Sequence, residues 1–239
     1  MKETEKTGSV LDRWDRAART FSEDQEISEF AAFNKQVVME RFPVFHGERV
    51  LDLGCGYGFY ADYFRRAGAE VAAADGSRRM LEIASERYPD TEFFEVDAEK
   101  PLPFEDSRFD LVFCNQVLMD MEDIDSVFRE CFRVLKPGGI FYYGIVHPAF
   151  YDCHWLKDGT GFRYAKAMDR YLTEYRVTVD QWGTDHFHRS LSRYLNAASD
   201  CGFILTHTDE PVSYDGITKN ADLPLFFFAE YRKPGNSSA

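Results

Sequence analysis

Arg49-Val-Leu-Asp-Leu-Gly-Cys-Gly-Tyr-Gly58 runs from a short apolar stretch straight into a glycine-rich turn. Residues 59–67, which follow, read as a helix stopped by Gly68. A strand, a glycine turn and a helix in that order let the backbone approach a ligand at the carboxyl end of the strand. A dinucleotide site wants a third glycine at position 59, where Phe59 stands, and Asp52 just before the turn would repel a pyrophosphate. That carboxylate suits a ligand with a cationic amino group instead.

Outward from this stretch, apolar strands alternate with helices. Glu70-Val-Ala-Ala-Ala74, residues 91–96, Phe109-Asp-Leu-Val-Phe113 and residues 140–146 read as further strands. Helices are expected over 77–88, with Ser77 as N-cap, and over 124–135, ended by Pro137-Gly138-Gly139. Near-continuous apolar strands fit a parallel sheet covered on both faces. Upstream, residues 11–42 read as helical, with Leu11, Trp14 and Ala18 at helical spacing. Downstream the texture changes. Residues 147–187 hold nine Phe, Tyr and Trp, and 171–179 alternate as a half-exposed strand. A helix with Leu191, Tyr194, Leu195 and Ala198 on one face follows, then strands over 203–208 and 225–231. Three acids, Asp52, Asp75 and Asp97, end or nearly end three successive strands. In an open α/β sheet one ligand at those carboxyl ends could meet all three. Asp75, 19 residues after Gly56, is placed to accept from ribose hydroxyls, and Asp97 with the N–H of Ala98 to read an adenine edge.

This set of motifs resembles the class I S-adenosylmethionine-dependent methyltransferases, in particular a bacterial small-molecule group (the methyltransferase type 11-like group) built on a D-L-G-C-G-x-G loop. The matching residues are Asp52 to Gly58, Asp75, Asp97, Phe109 to Phe113 and the turn Leu135-Lys-Pro-Gly-Gly139. The resemblance covers about residues 12 to 146 and extends, less specifically, to His147-Pro148 and the segment His188 to Tyr194. It implies an α/β, Rossmann-like fold: a seven-stranded, mostly parallel sheet with helices on both faces. It implies a helical cap over 1–46, a cofactor-binding core over 47–146, a lid or substrate insertion over 147–187, and a closing helix and two strands over 188–239. Gly54, Cys55 and Gly56 would wrap the methionyl part of the cofactor, Asp75 would hold its ribose, Met80 would pack on adenine, and Asp97 and Ala98 would bind the adenine edge. Asn115 and Val117 would border the sulfonium, and Trp14 and Phe21 would close over the cofactor. Gly76 departs from the pattern, because relatives often carry an aliphatic residue there that covers the adenine.

Methyl transfer needs alignment in a dry site more than a fixed catalytic residue, so the acceptor is not legible from the fold. His147 is the catalytic candidate. It follows the fifth strand, and Pro148 holds it extended, which suits a hydrogen bond to the acceptor or removal of its proton; a structural role is the alternative. Met119 and Asp120 lie in the expected substrate-facing turn, although Asp120 also reads as one of a solvated acidic group with Glu122 and Asp123. Tyr151, His154, Trp155 and His188 are further substrate-side candidates. Asp185-His186-Phe187-His188 offers two imidazoles on one strand face but no third or fourth ligand, so no metal is expected. Cys55 and Cys114 read as small buried residues.

Composition sets the outer limits. The 239 residues are 44% hydrophobic with net charge −13, which excludes a disordered chain and opposes binding to a phosphate backbone. Five scattered cysteines suggest reduced thiols and a cytoplasmic protein. No apolar h-region and no run of membrane-spanning length occurs. The expectation is a monomeric or homodimeric enzyme that uses S-adenosyl-L-methionine, releases S-adenosyl-L-homocysteine, and methylates an O, N or C atom of a small molecule. The alternatives are a protein or RNA methyltransferase, or a non-catalytic binder of the same cofactor.

Overall fold

The computed structural model describes residues 8–151, 154–212 and 223–235; most of both tails and Cys153 lie outside these. Two helices come first, α1 (Val10–Ile27) and α2 (Glu29–Arg41). Ser9 and Asp12 start α1 with a reciprocal capping box, and Ser28 caps α2 through the N–H of Ala31.

The alternation then builds β1 (Arg49–Leu53), α3 (Phe59–Arg66), β2 (Glu70–Asp75), α4 (Arg78–Arg87), β3 (Glu92–Glu95), β4 (Phe109–Asn115), α5 (Ile124–Val134) and β5 (Leu135–Val146). A single 3-10 turn, Leu118–Asp120, stands between β4 and α5. Late in the chain, α6 (Leu191–Asp200), β10 (Ile204–Asp209) and β11 (Phe226–Arg232) complete the sheet. Its order is β3-β2-β1-β4-β5-β11-β10. The first five strands pair in parallel, and β11 is antiparallel to both β5 and β10. This is the Rossmann-like α/β sheet expected from the sequence. Val50, Leu51 and Leu53 of β1 are almost wholly buried, as a central parallel strand requires. Ile124, Val127, Phe128, Cys131 and Val134 form the buried stripe of α5 at helical spacing. No helix among the described residues is long and apolar enough to cross a membrane.

Two local expectations change. The fifth strand begins at Leu135, not at 140, because Leu135 pairs with Phe109 across a register shift and Gly138 donates to the carbonyl of Lys233 at 2.9 Å. The Pro-Gly-Gly turn is therefore part of an irregular strand start. The alternating run 171–179 is a strand only over β8 (Tyr175–Val179). Tyr171 lies outside it: its hydroxyl accepts from the N–H of Leu191 at 2.9 Å and its carbonyl meets Nε2 of His188 at 3.0 Å.

Between β5 and α6 lie two antiparallel hairpins. One joins β6 (His154–Lys157) to β7 (Arg163–Ala167), and the other joins β8 to β9 (Thr184–His188). The second packs on α1 and on the 3-10 turn. Helix α1 is tied at both sides. Asp15 accepts from Ser77 Oγ at 2.6 Å and from the N–H of Arg79 at 3.1 Å, and Arg13 forms a buried ion pair with Asp185 of β9.

Candidate active site

The glycine turn is built by backbone geometry that a side chain would disturb. Gly54 has φ +77°, and a Cβ there would stand 2.3 Å from a methyl of Val117. The N–H groups of Gly54 and Cys55 both donate to the carbonyl of Ala74, at 2.7 and 3.0 Å. Asp75 fixes the turn from the next strand. Its Oδ2 accepts from the N–H of Gly56 and its Oδ1 from the N–H of Ser77, both at 2.8 Å.

A cavity opens over this turn. Gly54, Cys55, Gly56, Asp75, Gly76, Met80, Asp97, Ala98, Asn115, Val117, Trp14 and Phe21 all line it. Asp52 does not. It is buried beneath the loop with Oδ2 unpartnered. The departure at Gly76 also has an explanation in space. A Cβ on Gly76 would lie 2.4 Å from a terminal methyl of Leu11, which lines the same cavity. Leu11 of α1 thus fills the volume that a larger residue at 76 would take. Asn34, Lys35 and Tyr60 line the cavity as well and were not singled out in the sequence. Asn115 Nδ2 and the Tyr60 hydroxyl both donate to Asn34 Oδ1, at 2.7 and 2.6 Å. Lys35 Nζ sits 4.1 Å from the centre of the Phe59 ring, and partial burial lowers its pKa.

A second cavity, of about 490 Å³, adjoins the first. Trp14, Phe21, Gln25, Phe30, Gln116 and Asp120 line both. Met119, Tyr151, Val146, Val179, Trp182 and His186 line the second. The rings of Trp14, Phe21 and Trp182 form an edge-to-face series with centroids 5.1 Å apart at each step. Trp182 Nε1 and Gln181 Nε2 donate to Asp24 of α1 at 2.8 and 2.7 Å, which seats the tip of the β8–β9 hairpin on that helix. Nε2 of His186 is 3.2 Å from Oδ1 of Asp120, at an angle that makes no hydrogen bond.

The substrate-side expectations divide. Met119, Asp120 and Tyr151 face the second cavity. Asp120 is only 4% exposed, so it is not a solvated acid. His147, the expected catalytic residue, lines neither cavity. Its Nε2 is bonded to Glu210 at 2.6 Å and its Nδ1 accepts from the N–H of Ala149 at 3.1 Å, so both ring nitrogens are engaged in holding the chain. His154 and Trp155 belong to the β6–β7 hairpin and line neither cavity; His154 is exposed, and Lys166 Nζ covers the Trp155 ring at 4.7 Å. His188 stacks on Tyr175 with ring centroids 4.5 Å apart and also lines neither. The imidazole that does reach the second cavity is His186. Its place in the Asp185-His186-Phe187-His188 alternation was the only sequence signal for it.

Burial governs the charges here. Desolvation, with the neighbouring charge of Asp75, pushes the Asp52 carboxyl up to about 8. Desolvation also raises Asp75, and raises Asp120 well above the carboxylate range. It lowers His186 to about 4, so this imidazole is neutral at physiological pH. A folded-state pKa raised above the unfolded one gives stability that is greatest at low pH and is lost as pH rises through the folded value. The melting temperature of the ligand-free chain is therefore expected to fall as pH rises through about 8, and Asp52→Asn to flatten that fall. Thermal melts across this range check it; an unchanged slope in the variant would assign the pH dependence to other groups.

A parallel sheet with a glycine turn and a deep cavity at its carboxyl edge defines a Rossmann-like, ligand-binding α/β protein. Residues 51–143 match the family model described as a methyltransferase domain. The chain is 30% identical over 183 residues to a ubiquinone biosynthesis O-methyltransferase from Ralstonia nicotianae, covering 73% of this chain and 68% of that one. It is 31% identical to a malonyl-[acyl-carrier protein] O-methyltransferase from Enterobacter lignolyticus, covering 56% of this chain and 52% of that one. In structure it resembles an S-adenosylmethionine-dependent methyltransferase from Mesorhizobium loti, with TM-score 0.74 and 28% identity over 87% of this chain and 99% of that one. The chain belongs to the S-adenosylmethionine-dependent methyltransferases.

Proposed function

We propose that the first cavity holds S-adenosylmethionine, that the second holds a small-molecule acceptor, and that the methyl group crosses where their walls are shared. The observation that carries this reading is the contiguity of the two cavities at Gln116 and Asp120. When bound, S-adenosylmethionine supplies an electrophilic methyl carbon on a sulfonium. The residues present fit it. Lys35, which lines the cavity, offers a charge to the methionyl carboxylate, while Asp52 stays buried behind the lining with one carboxyl oxygen unpartnered. Asp75 retains lone pairs for ribose hydroxyls beyond those given to Gly56 and Ser77. Leu11, Met80 and Trp14 provide apolar cover for adenine, Asp97 and Ala98 meet its edge, and Asn115 and Val117 border the sulfonium. Trp14, Phe21 and Trp182 exclude water from the junction.

An acceptor cavity walled by Trp14, Phe21, Phe30, Tyr151 and Trp182 and a net charge of −13 favour a small molecule over RNA. Both named relatives are O-methyltransferases, which favours an oxygen acceptor. The free, buried thiols of Cys55, Cys114 and Cys131 suit a reducing, cytoplasmic setting. Titration calorimetry with adenosylhomocysteine tests the cofactor reading. Micromolar affinity is expected, and no heat at about 1 mM ligand would reject it.

A further inference from the structure

Three buried polar atoms around the second cavity have no hydrogen-bond partner within the described chain. They are Nε2 of Gln116, Oδ1 of Asp120 and Nδ1 of His186. Their residues come from the end of β4, the 3-10 turn and β9, and all three line the one cavity. Leaving such a group unsatisfied costs about 1–3 kcal/mol, so three in one place point to partners supplied by a ligand. Gln116 adds backbone strain, with φ +60° at a residue that is not glycine. The remaining wall is mainly apolar and aromatic, with Asp24, Gln25, Ser28 and Gln181 as its polar members, and no Lys or Arg lines it among the described residues. Asp24, the other acid there, is taken up by Trp182 and Gln181.

We infer that the second cavity takes an uncharged acceptor with a flat apolar body and a hydroxyl group, and that His186 receives the hydroxyl proton. The inference rests on the reading of this cavity as the acceptor site. Burial raises the Asp120 carboxyl and lowers His186 to about 4, which favours the neutral form of each, so the first can offer a donor and the second an acceptor. A hydroxyl can accept from the first while donating to the second. A carboxylate acceptor finds no cation among the described residues of the wall, and an ammonium group has no free electron pair to attack with. In the transfer, a lone pair of the hydroxyl oxygen forms the new C–O bond, the C–S pair leaves with sulfur, and the O–H proton passes to the imidazole. A weakly basic imidazole suffices, because the hydroxyl becomes strongly acidic as its oxygen bonds to carbon. Asp120, which lines both cavities, places the hydroxyl at the junction.

Naphthol, naphthoate and naphthylmethylamine are matched probes. Each is titrated calorimetrically into the full chain saturated with adenosylhomocysteine. Naphthol is expected to bind at least about tenfold more tightly than either charged analogue. Methoxynaphthalene, which lacks the donor, is expected to bind more weakly than naphthol to the wild type and equally to His186→Leu. With S-adenosylmethionine, naphthol gives its methyl ether, and His186→Ala lowers kcat about 10²-fold while the affinity for adenosylhomocysteine stays within a few-fold. Naphthoate binding as tightly as naphthol overturns the acceptor class. Full rate in His186→Ala, or naphthol that binds without being methylated, overturns the proton-acceptor role. Failure of the wild type to bind adenosylhomocysteine is a separate result and rejects the cofactor reading beneath both.

Discussion

Asp75→Ala is expected to lower the affinity for adenosylhomocysteine by about 10²-fold or more, together with a measurable loss of melting temperature. The carboxylate has two tasks. It holds the glycine turn through the N–H groups of Gly56 and Ser77, at 2.8 Å each, and under the proposed assignment it also accepts from the ribose. Hydrogen bonds to a charged group contribute about 1.5–3 kcal/mol each, so losing the ribose pair alone accounts for about two orders of magnitude. Alanine also orphans two backbone donors at the mouth of the cavity, which adds the stability loss. Asp75→Asn keeps one acceptor oxygen and should lie between the two. Calorimetry with adenosylhomocysteine and thermal melts measure both effects. Alanine variant affinity within a few-fold of wild type would remove Asp75 from the cofactor site.

The half of the site that was legible in the sequence is the half built from local chain. The glycine turn, Asp75 and Asp97 lie at the ends of three successive strands, across two consecutive βαβ units, so spacing alone brought them to one cavity. The capped start of α4 at Ser77 was equally local. The acceptor half is assembled from segments far apart in sequence: α1, the 3-10 turn and the β8–β9 hairpin. His147 illustrates the limit. Its neighbour Pro148 and its position after a strand correctly place its backbone at the sheet edge. Its ring, however, is held by Glu210, 63 residues away, which no local pattern announces. His186 is the converse case. Alternation suggested a strand face, yet the packing of β9 on α1 and on the 3-10 turn, which brings Asp120 from 66 residues earlier within 3.2 Å, is what no local pattern announces. Asp120 itself stands beside Glu122 and Asp123 and reads as surface; the 3-10 turn carries its side chain inward instead.

Asp185→Ala is expected to destabilise the fold by about 3 kcal/mol or more and to weaken both ligand sites together. Arg13 and Asp185 are almost completely buried, with side chains 6% and 1% exposed, and Arg176 joins the pair from the half-exposed side. Thr178 Oγ1 also donates to Asp185, at 3.0 Å. Removing the carboxylate takes the counter-charge from a buried guanidinium, a change that typically costs about 3–5 kcal/mol and about 2–4 °C of melting temperature per kcal/mol in a chain of this size. The reciprocal change, Arg13→Ala, should cost less, because Arg176 and Thr178 remain on Asp185. Burial pushes Asp185 up, but the Arg176 hydrogen bond, the Thr178 hydrogen bond and the two guanidinium charges outweigh it and hold the carboxyl below its usual value. A depressed folded-state pKa gives stability that is present above the unfolded value, near 4, and is lost as pH falls through the folded one. Acid should therefore loosen the contact between α1 and β9 in the wild type, and Asp185→Asn should lack that part of the acid transition. The ligand effect follows from what each element carries. Helix α1 supplies Leu11, Trp14 and Phe21 to the first cavity, and β9 supplies His186 to the second, one residue from Asp185. Thermal melts give the stability change, and hydrogen exchange over residues 10–27 and 175–188 locates it. A variant that melts within about 1 °C of wild type, with unchanged exchange in both segments, would mean that the Trp182–Asp24 contacts alone suffice to hold the hairpin on the helix.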